Sequence, residues 1–412
     1  MRKNGIRIAA LMGALALVAA ACGTDGGAGD DPGDTTPTTA AAGTSAAPGS
    51  TVVSAGVLPD GPSALDDMLD PAFPDALVDV SGIISGGPPP DGIPPIDEPA
   101  FVSFTAADAY LADAEPVVAL EIGGDARAYP AQVMIWHEIV NDVVGGVPVS
   151  VTYCPLCNSA VTYVRQIQGV ETTFGTSGRL FNSALVMYDR ATESLWTHFD
   201  GLAVVGTLTG ESLEPIGSPL MAYGDFKAAY PSGTVLDRDR TGHSRDYGAN
   251  PYAGYDNPES FPFLFRGAAD PRARELQRVV GIEVGEEAMA VMIEAIASTD
   301  AATTVTPLTV GGTDLVVLWK EGQSSALDQR TIEGGRDVGS VGVFLPEVDG
   351  QVLTLVADGD GYRDLETDST WTVAGTATDG PLAGSALERI AHLDTFWFAW
   401  STYKPGTGLV EV

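Results

Sequence analysis

The stretch "GGVPVSVTYCPLCNSA", residues 145–160, carries the sequence features that are most informative about fold and chemistry. Apolar residues alternate with others over 147–153, which is typical of a half-buried strand, and this strand ends at Cys154. Pro155 forces a turn, after which "SAVTYVRQ", residues 159–166, reads as a second strand. The sequence therefore predicts two strands whose connecting turn carries a Cys-x-x-Cys motif.

The same stretch aligns without a gap with "GGTDLVVLWKEGQSSA", residues 311–326. Four further blocks recur in the same order: "VVALEIGGDARA" (117–128) with "VVGIEVGEEAMA" (279–290), "TESLW" (192–196) with "TDSTW" (367–371), "LTGESLEPI" (208–216) with "LAGSALERI" (382–390), and "FKAAYP" (226–231) with "WSTYKP" (400–405). Ordered recurrence of this kind indicates an internal repeat. We predict a β-rich α+β fold, internally duplicated and two-lobed with short helices, in which lobes 116–236 and 279–412 flank an inter-lobe loop, 237–278.

The repeat separates residues that serve the fold from residues that serve chemistry. Groups present in both copies, such as Trp196 and Trp371, are expected in the core. In the alignment, Cys154 and Cys157 correspond to Lys320 and Gln323 of the second copy. No histidine of the second copy corresponds to His137. We therefore expect one functional site, in the first copy, with the second copy as its structural partner.

The N-terminal segment predicts an exported protein. "MRKNGIRIAALMGALALVAAAC" has a basic start, an apolar run and small residues before Cys22, so residues 1–21 are interpreted as a signal peptide. The ending resembles a bacterial lipobox and predicts a lipid anchor on Cys22, although an ordinary cleaved signal with an incidental cysteine is the alternative. Residues 22–54 are polar and suit a disordered linker, and 55–115 suit a Pro/Gly-rich extended arm against the body or a plain linker.

Composition excludes some functions and leaves the reaction open. With 55 acidic against 21 basic residues the formal net charge is −34, which argues against nucleic acid as a partner. The expected location is the outer face of the cytoplasmic membrane, reached through the lipid on Cys22. No phosphate-binding loop or nucleotide fingerprint is recognisable, so the sequence does not decide whether the protein is an enzyme.

Three interpretations of Cys154 and Cys157 remain open. The first interpretation is an inert disulfide within a non-catalytic binding module. A disulfide that closes a four-residue ring, however, adds only about 2 kcal/mol to the free energy of unfolding. A thiol–disulfide oxidoreductase with two catalytic cysteines is another, although that motif usually joins a strand to a helix. The third, which we favour, is a metal site, because thiolates are soft ligands for copper or zinc and need further donors.

Two histidines are the candidate further donors. His137 lies in "PAQVMIWHEIVND", residues 130–142, which predicts a short helix leading to the strand with the cysteines. His392 opens "HLDTFWFAW", residues 392–400, whose aromatic residues predict a buried segment that docks on the first copy. We therefore predict a copper or zinc site built from His137, Cys154 and Cys157, with His392 as a possible fourth ligand; a purely structural role is the alternative for each histidine.

Several motifs resemble those of a known family. "SGGPPPDGIPPIDEPAF", "WHEIVND", "YCPLCNSA", "TESLW", "NPYAGYD" and "FWFAW" are similar, in this order, to the motifs of a bacterial secreted family known as a domain of unknown function. The resemblance implies an extracytoplasmic location, often as a lipoprotein, and no settled activity. It places His137, Cys154, Cys157 and His392 within family motifs, whereas Ala249 stands where the family pattern has an arginine.

Overall fold

The computed structural model describes residues 57–268, 270–297 and 300–411. These residues belong to one compact unit. The predicted signal peptide, Cys22 and the linker up to residue 54 lie outside the described residues. Within the described ranges, no helix combines the length and the apolar character needed to cross a membrane.

The described chain is rich in strands and contains short helices, which confirms a β-rich α+β fold. Up to residue 240 the elements are β1 Ile83–Ser85, β2 Phe101–Val102, α1 Phe104–Ala107, β3 Pro116–Ile122, β4 Asp125–Pro130, α2 Ala131–His137, β5 Ile139–Val144, β6 Val147–Cys154, β7 Ser159–Val164, β8 Gln166–Ile167, β9 Val170–Glu171, β10 Phe174–Phe181, β11 Ala184–Asp189, β12 Leu195–Thr197, β13 Ala203–Val205, β14 Pro215–Ile216, β15 Leu220–Ala222, α3 Tyr223–Ala229 and β16 Thr234–Leu236, with 3-10 turns at Val80–Gly82 and Arg238–Arg240. After a long loop, the elements are β17 Arg278–Val284, β18 Glu287–Met292, α4 Ile293–Ile296, β19 Thr303–Val310, β20 Thr313–Lys320, β21 Ser340–Phe344, β22 Glu347–Val348, β23 Gln351–Val352, β24 Leu355–Asp358, β25 Gly361–Asp364, β26 Thr370–Trp371, β27 Ala377–Asp379, β28 His392–Phe396, α5 Trp397–Tyr403 and β29 Gly408–Val410.

The strands before and after the long loop pair in similar ways. In the first part, antiparallel β3 and β4 are flanked by β15 on one side and by parallel β16 on the other. In the second part, antiparallel β17 and β18 are flanked by β28 and by parallel β29. Meander sheets follow in both, with the orders β5–β6–β7 and β19–β20–β21, and β10–β11–β12–β13 and β24–β25–β26–β27. The two parts therefore share a strand order.

Two buried tryptophans are held by the same set of hydrogen bonds. Trp196 Nε1 donates to Asp189 at 3.0 Å, and Trp371 Nε1 donates to Asp364 at 2.9 Å. Each carboxylate also accepts bonds from a threonine and a serine of its own turn, namely Thr192 and Ser194, and Thr367 and Ser369. Both indole rings are almost fully buried, so the prediction that these tryptophans belong to the core is confirmed.

The Cys-x-x-Cys motif lies on the predicted strand–turn–strand unit. β6 pairs antiparallel with β7, and Cys154 is opposite Ser159 across the turn, which confirms the prediction. The helix predicted over 130–142 is shorter: it ends at His137, and β5 starts at Ile139. Glu138 between them has φ 59°, which no helix interior tolerates, and its carbonyl accepts the Tyr153 N–H at 2.8 Å. The chain therefore changes from helix to strand at one residue.

Candidate metal centre

Cys154, Cys157 and His198 come together in the interior of the first part. Their ligand atoms all lie within 4.8 Å of one another, and none of the three residues is more than 1% exposed. Both cysteines are free rather than joined in a disulfide. Two sulfurs and one imidazole nitrogen at such distances could hold a metal ion.

Local backbone geometry explains how one turn presents both sulfurs. Cys154 ends β6, and the Asn158 N–H returns to the Pro155 carbonyl at 3.3 Å, which closes the turn. Asn158 has φ 48°, a left-handed conformation that asparagine adopts more readily than most residues. Both cysteines of the motif therefore lie on a single tight bend.

His198 reaches the cysteines through strand pairing instead of sequence proximity. It directly follows β12, and its N–H donates to the Leu185 carbonyl of β11 at 3.1 Å. Its own carbonyl accepts the Tyr163 hydroxyl of β7 at 2.9 Å. Two neighbouring strands thus fix the histidine backbone next to the turn between β6 and β7.

The two thiols are electrostatically unequal. Burial acts to raise the pKa of Cys154, but hydrogen bonds from the Cys157 thiol and from the backbone N–H groups of Leu185, Cys157 and Leu156 outweigh it and lower that pKa. Burial raises the pKa of Cys157 well above its ordinary value, and the neighbouring Cys154 raises it further. Cys157 Sγ also lies 3.1 Å from Ser159 Oγ. The Cys154 thiol is therefore the one that loses its proton more readily.

His198 is a neutral imidazole without a hydrogen-bond partner. Burial lowers its pKa to about 3. Within the described residues, neither Nδ1 nor Nε2 makes a hydrogen bond, although both atoms are buried. Buried polar atoms are nearly always hydrogen-bonded, so an imidazole with both nitrogens unpaired beside two thiols calls for an explanation. A bound metal ion would occupy the free lone pair.

The structure does not place His137 in this cluster. Its Nδ1 lies 2.7 Å from the Pro94 carbonyl, so Nδ1 carries the proton and Nε2 accepts the Tyr247 hydroxyl, also at 2.7 Å. Both ring nitrogens are therefore in use, and burial lowers the pKa of His137 to about 4. The residue connects α2 to the long loop after β16.

His392 also lies outside the cluster. Its Nδ1 is 2.8 Å from the Ile390 carbonyl and its Nε2 is 3.3 Å from the Val341 carbonyl. The other end of the same strand does reach the cysteines, because Thr395 Oγ1 donates to the Cys157 carbonyl at 2.7 Å. The expected docking of this segment on the first part is confirmed, but the histidine of the centre is His198.

The sequence contained a signal that would have pointed to His198. "TESLW" aligns with "TDSTW", and two residues beyond each tryptophan the first copy has His198 where the second has Val373. The rule that residues found in one copy are candidates for chemistry selects His198 as readily as His137. Proximity to the cysteines along the chain favours His137, but the strand pairing overrides it.

Aromatic residues of the long loop cover the cysteines. The Tyr255 hydroxyl donates to the Leu156 carbonyl, between the two cysteines, at 2.9 Å. Burial, and then the charges of Glu138 and Cys154, raise the pKa of the neighbouring Tyr252. Burial also raises the pKa of Glu138 well above its ordinary value, and the charge on Cys154 adds to this effect. The surroundings of the thiols are consequently dry and disfavour added negative charge.

Fold and site together define a β-rich protein with a buried cluster of two cysteines and one histidine. The chain belongs to the family described as protein of unknown function (DUF3179), whose family model matches residues 90–407. Comparison with curated proteins and with solved structures gives no match.

Proposed function

We propose that this chain is an extracytoplasmic, membrane-anchored protein that binds one copper(I) ion through Cys154, Cys157 and His198. The observation that carries the proposal is the unpartnered imidazole of His198 beside two free, buried thiols. The N-terminal sequence, which predicts a signal peptide and a lipid anchor on Cys22, supports the proposed location and membrane attachment.

The donor set favours copper(I) over zinc. Soft thiolate ligands select copper(I), whereas zinc takes a fourth ligand, from the protein in structural sites or from water in catalytic sites. Within the described residues the cluster offers three donors, two sulfurs and one nitrogen. Both thiols are buried, and Tyr255 bonds the Leu156 carbonyl between them, which suits storage or transfer of an ion that must be kept from solvent.

The residues around the centre have separate roles in this proposal. Backbone N–H groups of Leu156, Cys157 and Leu185 favour the Cys154 thiolate, which supplies the first anionic ligand. Cys157 loses its proton only when an ion replaces it, so binding releases a proton to solvent. A copper(I) ion would offset one of the two thiolate charges, so that the occupied site would keep a net charge of −1.

Thiol–disulfide exchange is the second candidate, and the inequality of the two thiols favours it. A cysteine of lowered pKa beside one of raised pKa is the arrangement used in exchange reactions. Exchange also requires that a partner sulfur reach the attacking thiol. Both thiols are buried under Tyr255, so metal binding accounts for more of the geometry.

We also propose that residues 116–236 and 279–412 are two copies of one unit. The shared strand order and the paired Asp–Trp hydrogen bonds support this. In the second copy Lys320 and Gln323 stand in place of the cysteines, so we expect no metal site at the corresponding position.

A comparison of two buried histidines tests the copper proposal. Purified wild-type protein is loaded with copper(I), and its affinity is measured by competition with a chromophoric copper(I) chelator. His198→Gln should weaken binding by at least roughly tenfold, and Cys154→Ser should abolish stoichiometric binding. The matched control, His392→Gln, alters a histidine that is also buried but lies outside the cluster and should bind like the wild type. Equal affinity of His198→Gln and the wild type would contradict the proposal, and rapid dithiol exchange without copper binding would favour the second candidate.

A further inference from the structure

A buried hydrogen-bond network links the second part of the chain to the Cys-x-x-Cys turn. We infer that Asp394, held in place by Arg278, is a positioning residue for the metal centre and acts through Asn158. This inference rests on the proposed function, which it extends from the three ligands to the residues that orient them.

Asn158 is fixed at both ends of its side-chain amide. Its Nδ2 donates to Asp394 Oδ1 at 3.2 Å, and its Oδ1 accepts the Tyr153 hydroxyl at 3.2 Å. The residue is 1% exposed and follows Cys157 directly, in the left-handed conformation that closes the turn. The orientation of Asn158 therefore determines the position of the neighbouring residue Cys157.

Asp394 is itself immobilised by a buried ion pair. Arg278 Nε donates to Asp394 Oδ1 at 3.2 Å and Nη2 bonds to Oδ2, while both side chains are less than a tenth exposed. A buried charge pair costs desolvation energy and is a poor source of stability, which favours a role in specifying geometry. The register of β17 against β28 explains this ion pair. Arg278 is opposite Phe396, so Arg278 and Asp394 are diagonal neighbours on one face of the sheet.

The two residues that follow Asp394 hold the same turn. Thr395 Oγ1 and the Phe396 N–H both donate to the Cys157 carbonyl, at 2.7 and 3.2 Å. Three consecutive residues of β28 thus hold the turn, Asp394 through the Asn158 side chain and the next two through the Cys157 carbonyl. Among the described residues, the second part of the chain contributes no metal ligand to the cluster, yet its contacts hold the turn that carries two of the ligands.

The consequence for chemistry follows from the spacing of the two sulfurs. The turn holds the Cys154 and Cys157 sulfurs within 4.8 Å of each other and of a His198 ring nitrogen. If Asn158 loses its contact with Asp394, the turn relaxes and the sulfurs no longer keep this spacing. Loss of residues that orient metal ligands typically weakens metal affinity by roughly tenfold to a hundredfold.

The test replaces Asn158 by glycine, because glycine retains the left-handed conformation and removes only the side-chain contacts. The matched control is Asp349→Gly, which makes the same kind of change at an exposed left-handed residue, φ 51°, between β22 and β23. Copper(I) affinity is measured by chelator competition. The metal-free proteins are also treated with an aromatic disulfide reagent, and the rate of thiol release is recorded.

We expect Asn158→Gly to lower copper(I) affinity at least tenfold and to change the thiol reaction rate, and Asp349→Gly to change neither. A double variant, Arg278→Leu with Asp394→Leu, removes the ion pair without leaving an unpaired charge and should reproduce both effects. Wild-type affinity together with a wild-type thiol rate in Asn158→Gly overturns the inference. If the wild type binds no copper(I), the proposed function fails, and the thiol rate still decides whether Asp394 positions the turn.

Discussion

We predict that Glu115 makes a contribution to stability that decreases as pH rises from 4.5 to about 7. The residue directly precedes β3 and is 4% exposed, and its carboxyl group accepts the Ala112 N–H at 3.1 Å and the Gln132 amide at 3.0 Å. Burial is the main cause that raises the pKa of Glu115 from 4.5 to about 7; the Ala112 and Gln132 bonds oppose the rise, and the nearby charge of Glu333 adds to it.

The sign of the effect follows from proton binding. Between pH 4.5 and about 7 the folded protein keeps the Glu115 proton, whereas the unfolded chain has lost it. Stability must then decrease with rising pH, by about 1.4 kcal/mol per pH unit over this window. Over the interval from pH 4.5 to about 7, the free energy of unfolding should fall by a total of about 3 kcal/mol. This loss is complete above pH 7.

Glu115→Gln removes the ionisable proton and keeps the size of the side chain. The free energy of unfolding of the variant and the wild type should be nearly equal at pH 4.5, and the variant should be about 3 kcal/mol more stable at pH 8. Urea denaturation at half-unit steps of pH measures this difference. Glu286→Gln, at an exposed position, is the control and should show no such trend. A difference between Glu115→Gln and the wild type that stays constant from pH 4.5 to 8 would refute the reasoning.

Three further predictions concern the anchor, the repeat and the covering loop. Cys22→Ser should release the protein from the membrane fraction or block its processing, and normal cleavage with full membrane retention would contradict the lipid anchor. Asp189→Asn and Asp364→Asn should each reduce the free energy of unfolding by about 3 kcal/mol, because each disturbs several bonds to a buried carboxylate; clearly unequal losses in urea denaturation would weaken the proposal of two equivalent copies. Tyr255→Phe removes the bond to the Leu156 carbonyl and should speed the reaction of the thiols with an aromatic disulfide reagent, whereas an unchanged rate would show that this contact does not limit access.

The parts of the fold that local sequence determines were predictable. Alternation of apolar residues predicts β6, and a proline after Cys154 predicts the turn, because both depend on residues next to each other. The end of α2 was predicted too late, since the aromatic and apolar residues of 130–142 suit a helix throughout. What ends the helix is the pairing of the Glu138 carbonyl with the Tyr153 N–H, a contact between separate elements that no local pattern contains.

The candidate site was predictable in its cysteines, whereas the repeat alone does not decide between His198 and His137 as the third ligand. Cys154 and Cys157 share one turn, so their proximity follows from the motif alone. His198 is 41 residues beyond Cys157 and approaches it only because β11 pairs with β12 and Tyr163 of β7 bonds the His198 carbonyl. His137 is nearer along the chain, but its helix directs both ring nitrogens to other partners.

The position that corresponds to Cys154 in the predicted alignment shows how the second part differs. β20, like β6, has eight residues, and it ends at Lys320. Lys320 Nζ donates to Asp225 of α3 at 2.6 Å, and the same carboxylate accepts the Ser340 hydroxyl at 2.7 Å. An ammonium group that pairs with a carboxylate offers no lone pair to a metal, so this strand end connects the two parts of the chain. Asp394 makes the converse contact, from the second part to the turn beside the cysteines. We therefore expect the second part to support the geometry of the centre in the first through specific contacts, without metal ligands of its own among the described residues.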